Sequence, residues 1–167
     1  MKLLTLIRHA KSSWKNDELA DFDRPLNNRG QQDLIGLTER AVHHLPVPDC
    51  LLFSPALRTN LTREPLVKAW QLTAQQSLAA PKAYEASADS LLELLQQTQD
   101  QINHLVLVGH NPGLSDLTSL LTHQMIDSFP TSAFAHLELN INHWSELQPG
   151  CGKLRKFDYP KLHAGPK

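Results

Sequence analysis

Arg8 and His9 close an apolar run from Leu3 to Ile7, Arg58 follows a second run in "SPALR", and His110 follows a third in "GHNPG". A guanidinium is a rigid fork that can donate two parallel, charge-assisted hydrogen bonds to phosphate or carboxylate, so two of them meeting at one point form an anion site. A histidine flanked by fixed positive charge is disfavoured as imidazolium and is neutral at physiological pH. With one ring nitrogen held by a backbone carbonyl, its other nitrogen is free to attack phosphorus. The chemistry open to these four residues together is phosphoryl transfer through a phosphohistidine, driven by positioning and charge stabilisation.

For that chemistry, strands must deliver the residues to one edge. The runs Leu3 to Ile7, Cys50 to Phe53 and His104 to Val108 are continuously apolar, the pattern of strands covered on both faces in a parallel sheet. A weaker strand is expected near "KAYE", followed by Glu85. Helical spacing links the strands through Leu34, Leu37, Ala41 and Leu45, through Ala88, Leu91, Leu92 and Leu95, and through Leu114, Leu117 and Leu121, with Asn111 as cap and Pro112 at the first helical position. Pro65 falls inside the helix expected after "SPALR", where a proline costs about 3 kcal/mol, so a kink or a late start is expected. "AFAHLELNI" alternates strictly and reads as an antiparallel or edge strand with "GKLRKFDY" as its hairpin partner.

The expected fold is α/β: a three-layer α/β/α sandwich with a mostly parallel central sheet and an antiparallel edge strand. It forms one domain over 1–160 and a frayed tail over 161–167. Ligands of open α/β sheets bind outside the carboxyl ends of the strands, which is where Arg8, His9, Arg58, Glu85 and His110 would converge.

The 167 residues carry 16 basic and 17 acidic side chains, net charge −1, so no global field recruits nucleic acid or an anionic membrane. The N-terminal apolar run is too short to span a bilayer and no small-residue cleavage site follows it, which points to a cytoplasmic protein. Cys50 and Cys151 form neither a disulfide framework nor a metal-ligand spacing, and the nine histidines show no consistent spacing, so neither metal nor cofactor is expected. His43, His44, His104, His123, His136, His143 and His163 read as structural or solvated.

"LIRHAKSSW" resembles the RHG-type signature of the histidine phosphatase superfamily, which includes the cofactor-dependent phosphoglycerate mutases. "SPALR" and "VGHNPG" resemble its second and third blocks, so the resemblance runs from Leu3 to about Leu121. The form "RHAKS" with "DRPLNNRG" behind it is most similar to the small SixA-like phosphohistidine phosphatases. The resemblance implies a phosphoglycerate mutase-like fold, His9 as nucleophile, and Arg8, Arg58 and His110 as the rest of the phosphate pocket. Glu85 stands near the place of the superfamily's general acid, although the SixA-like group is thought to manage without one.

The sequence also departs from the superfamily. Ala10 replaces the usual glycine, Lys15 stands where mutases carry a phosphate-binding asparagine, and "TNLTREP" lacks the usual Ala-x-Gln-Thr continuation. Lys11 and Arg24 are candidate substrate contacts on a rim that Asp17, Glu18, Asp21 and Asp23 nearly neutralise, and Trp14 reads as packing.

Short connections leave no chain for a lid, which favours a phosphorylated protein, from a phosphotransfer or signalling system, over a small phosphorylated substrate. The expected activity is therefore metal-independent phosphohistidine hydrolysis. Two alternatives stay open: a small-molecule phosphoester phosphatase or mutase, and a non-catalytic module that binds a phosphorylated partner.

Overall fold

In the computed structural model, which describes residues 1–164, strand and helix alternate as β1 (Lys2–Arg8), α1 (Asn28–His44), β2 (Cys50–Phe53), α2 (Leu57–Ala69), β3 (Ser77–Ala79), α3 (Ala88–Gln96), β4 (His104–Gly109), α4 (Gly113–Thr122), β5 (Phe134–Leu139) and β6 (Gly152–Asp158). The six strands form one sheet in the order β3-β2-β4-β1-β5-β6. The first four are parallel, while β5 runs antiparallel between β1 and β6. Among the described residues no helix is long and apolar enough to cross a membrane.

The continuous apolar runs are explained by the two cores they serve. Leu4, Leu6, Leu105 and Leu107 face Leu91 and Leu95 of α3 and Leu114, Leu117 and Leu121 of α4. Ile7, Val106 and Val108 point the other way, onto Leu37 and Ala41 of α1 and Leu66 of α2. Each strand residue is buried whichever way the pleat turns it, so a helix layer on each face removes alternation from the sequence.

Four expectations about the elements need correction. The third strand lies at Ser77–Ala79, and Pro81–Ala83 within the expected region forms a 3-10 turn. As an edge strand with half-buried to exposed side chains, it needs no apolar run to mark it. Helix α2 starts at Leu57 and runs through Pro65. Pro65 and Leu61, whose carbonyl loses its donor, lie on the partly exposed side, while Thr59, Thr62 and Leu66 face inward. The alternating segment forms β5, antiparallel to both neighbours as expected, and its hairpin partner β6 makes the antiparallel edge. Helix α4 begins at Gly113 with Pro112 at the cap position, although the Asn111 side chain still caps it by accepting from the Ser115 N–H at 3.2 Å. Of the tail expected to fray, Pro160–His163 form a 3-10 turn, and residues 165–167 lie outside the described residues.

The loop between β1 and α1 is folded back on itself. Ser12 bridges Leu26, the Asn27 N–H donates to the Lys11 carbonyl at 3.0 Å, and the Asn27 side chain caps α1 by accepting from the Gly30 N–H at 2.8 Å. A side chain at Gly30 would meet the Lys11 carbonyl oxygen at 2.1 Å, so only glycine lets the helix start this close to the loop.

Candidate active site

Strands β1 and β4 pair as far as Arg8 and Gly109, so the next residues, His9 and His110, leave the sheet side by side. Their ring centroids are 5.3 Å apart. Arg58 enters from the first turn of α2, and a cavity of about 360 Å3 opens above, lined by Arg8, His9, Arg58 and His110 together with Lys11, Ser12, Trp14, Asp21, Arg24, Glu85, Asn111 and Thr131.

His9 is 7 % exposed, and its Nδ1 lies 2.7 Å from the Ala10 carbonyl oxygen. A carbonyl can only accept, so Nδ1 carries the proton and Nε2 holds a free lone pair. The Ala10 N–H donates to Thr62 Oγ1 at 2.9 Å, and that hydroxyl donates to the Arg58 carbonyl at 2.7 Å, which ties the turn to α2. The His9 pKa is lowered to about 3, chiefly by burial; His110, Arg58 and Arg8 add to this and the Ala10 hydrogen bond opposes it. Neutrality thus comes mainly from burial and only secondarily from the positive charges invoked at first.

His110 is held at both nitrogens. Arg58 Nη2 lies 3.2 Å from Nδ1 and, having only protons to give, makes Nδ1 an acceptor; Nε2 then donates to Ser54 Oγ at 2.8 Å. Burial and then Arg58 lower its pKa to about 4. In this arrangement His110 orients Arg58. Arg8 donates from Nη1 to the Phe129 carbonyl at 2.8 Å, and the Nε–H groups of Arg8 and Arg58 are buried without partners among the described residues. Burial and the nearby Arg58 charge also lower the Arg8 pKa. Two repelling guanidiniums with unsatisfied donors are an environment completed by an anion.

The residue that reasoning from sequence missed is Asp21. Its carboxylate accepts from Arg24 at 3.0 and 3.1 Å, from Arg58 at 3.0 Å and from the Tyr84 hydroxyl at 2.6 Å, while its backbone carbonyl accepts from Arg58 Nη1 at 2.8 Å. Burial works against its charge, but the hydrogen bonds from Tyr84 and Arg24 and the charge and hydrogen bond of Arg58 outweigh it and hold the carboxyl well below the usual carboxylate range. The same bond pushes the Tyr84 phenol up to about 12. The i,i+3 spacing of Asp21 and Arg24 was the available signal.

No family model matches the chain. The uncharacterized protein Rv1276c of Mycobacterium tuberculosis is 33% identical over 172 residues, covering 93% of this chain and 100% of its own. The "putative phosphohistidine phosphatase SixA" of Agrobacterium tumefaciens superposes with a TM-score of 0.81 at 25% identity, over 95% of this chain and 98% of that one. The chain belongs to the histidine phosphatase superfamily. A structure of the protein histidine phosphatase SixA complexed with tungstate shares the fold at a TM-score of 0.80 and 20% identity, over 97% of this chain and 99% of that one.

Within this superfamily the alanine at position 10 fits without strain, since Ala10 is not among the residues with positive φ and is fully buried. Arg24 is 7 % exposed and lies at the cavity, but its fork is engaged by Asp21 and by Ser12 Oγ at 2.6 Å, and Trp14 lies 3.5 Å over it. Trp14 is itself 75 % exposed and packs on the rim, outside the core. Lys11 is exposed at the mouth. Glu85 stands exposed on the rim with φ +50 and makes no hydrogen bond among the described residues. Among the described residues no three His, Cys, Asp or Glu side chains gather as a metal site.

Proposed function

We propose that this chain hydrolyses phosphohistidine on a protein substrate through a covalent phosphohistidine at His9. The carrying observation is that a neutral histidine with a free Nε2 stands beside two arginines while the carboxylate deepest in the site, Asp21, is held ionised and has no proton to give. An alkoxide leaving group needs a proton delivered, whereas a phosphohistidine ring protonated at its distal nitrogen leaves as neutral imidazole. The cavity therefore suits a leaving group that carries its own proton.

In the first step Nε2 of His9 forms a bond to phosphorus as the substrate P–N bond breaks and the substrate imidazole departs. Arg8 and Arg58 neutralise the transferring oxygens. A phosphate dianion that draws Arg58 off Nδ1 of His110 also raises the pKa of that ring, which can then donate to an oxygen. In the second step water attacks phosphorus and the P–Nε2 bond breaks. The Ala10 carbonyl has kept the proton on Nδ1, so His9 leaves as neutral imidazole and inorganic phosphate is released.

The name of the Agrobacterium tumefaciens relative supports the substrate class, and a mouth rimmed by the exposed side chains of Lys11, Trp14 and Glu85 supports a protein-borne phosphate. The reading places the protein in the cytoplasm, where the unpaired Cys50 and Cys151 stay reduced. Glu85 at the rim favours a second reading, phosphoester hydrolysis, in which it would supply the missing proton. The test compares dephosphorylation of a phosphohistidine phosphotransfer domain and free phosphohistidine with a panel of phosphoesters, using His9→Ala as control. Faster turnover of the phosphohistidines, insensitive to Glu85→Gln, is expected. Turnover of phosphoesters alone, lost in Glu85→Gln, would replace it with the second reading.

A further inference from the structure

A groove of about 680 Å3 adjoins the catalytic cavity of about 360 Å3, and Lys11 and Thr131 line both. We infer that this groove docks an acidic segment flanking the phosphohistidine of the protein substrate, an inference that rests on the function proposed above. Its rim is formed by Lys11, by Arg29 in the first turn of α1 and by Lys161 in the turn after β6. Among the described residues the only carboxylate in the lining is Asp33, which accepts from Arg29 at 3.2 Å and is 17 % exposed, against 62 % for the Arg29 side chain. Lys11 and Lys161 have no carboxylate within ion-pair distance among the described residues. Positive charge is thus concentrated here on a chain whose net charge is −1.

The floor supplies the apolar half of the site. Phe157 and Tyr159 are half-buried with ring centroids 5.8 Å apart, and Phe157 packs edge-on at 5.2 Å against Phe129, whose carbonyl accepts from Arg8. A fixed aromatic floor with a cationic rim matches a segment bearing an apolar anchor among carboxylates. The occupant must be continuous with the phosphorylated residue, because the two concavities share a wall.

The test uses free phosphohistidine and two phosphohistidine peptides of equal length, one flanked by Asp, Glu and Leu and the other by Lys, Ser and Leu, at low ionic strength. The acidic peptide is expected to have a kcat/KM about tenfold higher, carried by KM and eroded by salt. The double variant Arg29→Glu/Lys161→Glu should abolish or invert that preference and leave free phosphohistidine turnover unchanged. Tyr159→Ala, which alters the floor without altering charge, should lower kcat/KM for both peptides and spare free phosphohistidine. Equal turnover of the two peptides, or a preference that survives the double reversal, would overturn the docking surface alone. Failure to hydrolyse any of the three substrates, free phosphohistidine included, would overturn the proposed function and the inference with it.

Discussion

Two pairs of histidines, three of the four rings buried and His136 half-buried, lie in or at the end of this sheet at nearly the same spacing, and only one pair belongs to the cavity. His9 and His110 are 5.3 Å apart at the carboxyl ends of β1 and β4; His104 and His136 are 5.4 Å apart, with both rings 2.8 Å from Thr5 Oγ1. Burial is the leading cause of a lowered pKa in all four. Neutrality is therefore no mark of a nucleophile. What separates the pairs is where the spare nitrogen lies: Nδ1 of His104 is buried inside the sheet without a partner among the described residues, whereas Nε2 of His9 belongs to a ring that lines the cavity with Arg8 and Arg58.

Removing the unengaged nitrogen should have the largest effect. His9→Ala is expected to lower kcat by at least about 10^4-fold in steady-state assays, while His104→Gln stays within a few-fold of the parent. Next is the charge that the second pair lacks. Arg58→Ala should lower kcat/KM by about 10^2- to 10^3-fold, and an intact rate would strip that arginine of its part in the contrast.

Asp21→Asn should follow, at about 10- to 100-fold in kcat/KM, because Arg24 and Arg58 lose the carboxylate that orients them. A Tyr84 titration left unmoved by the substitution would show that the phenol is not bonded to the Asp21 carboxylate. The account instead expects the phenol to fall from about 12 towards its ordinary value of 10, read by ultraviolet titration.

Acid unfolding tests what the two pairs share. His9, His104 and His110 stay neutral in the folded chain down to about 3 to 4, while their unfolded pKa is 6.5. Between those values the unfolded state binds more protons, so stability is full above about pH 6.5 and falls as pH drops towards 4. His104 alone, moved from 6.5 to about 4, accounts for up to roughly 3 kcal/mol of that loss. Denaturant titrations across this range should show it, with the cavity and core histidines contributing alike. The smallest effect is expected at neutral pH for His104→Gln, about 1 kcal/mol from the disturbed Thr5 contact.

Arg8, His9, Arg58 and His110 could be found in the sequence because each ends a strand, directly follows one or lies in the first turn of the helix after one, and β1, β2 and β4 reveal themselves by being buried on both faces. β3 has no such signature, being three residues on an edge with mostly exposed side chains. Asp21 was obscured for a different reason: its partners Arg58 and Tyr84 lie 37 and 63 residues away, and only the fold-back of the loop at Ser12 and Leu26 brings them together. Charge counting over Asp17 to Asp23 gave the rim's near-neutrality but could not say which acid was engaged. Pro65 does not break α2 because its side of the helix is partly exposed, a property of the packing that the local sequence does not carry.

The central claim is that His9 takes the phosphoryl group. Rapid-quench trapping with a phosphohistidine substrate, followed by peptide mapping of the labelled chain, tests it directly. The account predicts an acid-labile, base-stable phosphate on His9 Nε2 that forms and decays at rates compatible with turnover and is absent from His9→Ala. A label on another residue, or undiminished turnover by His9→Ala, would contradict it.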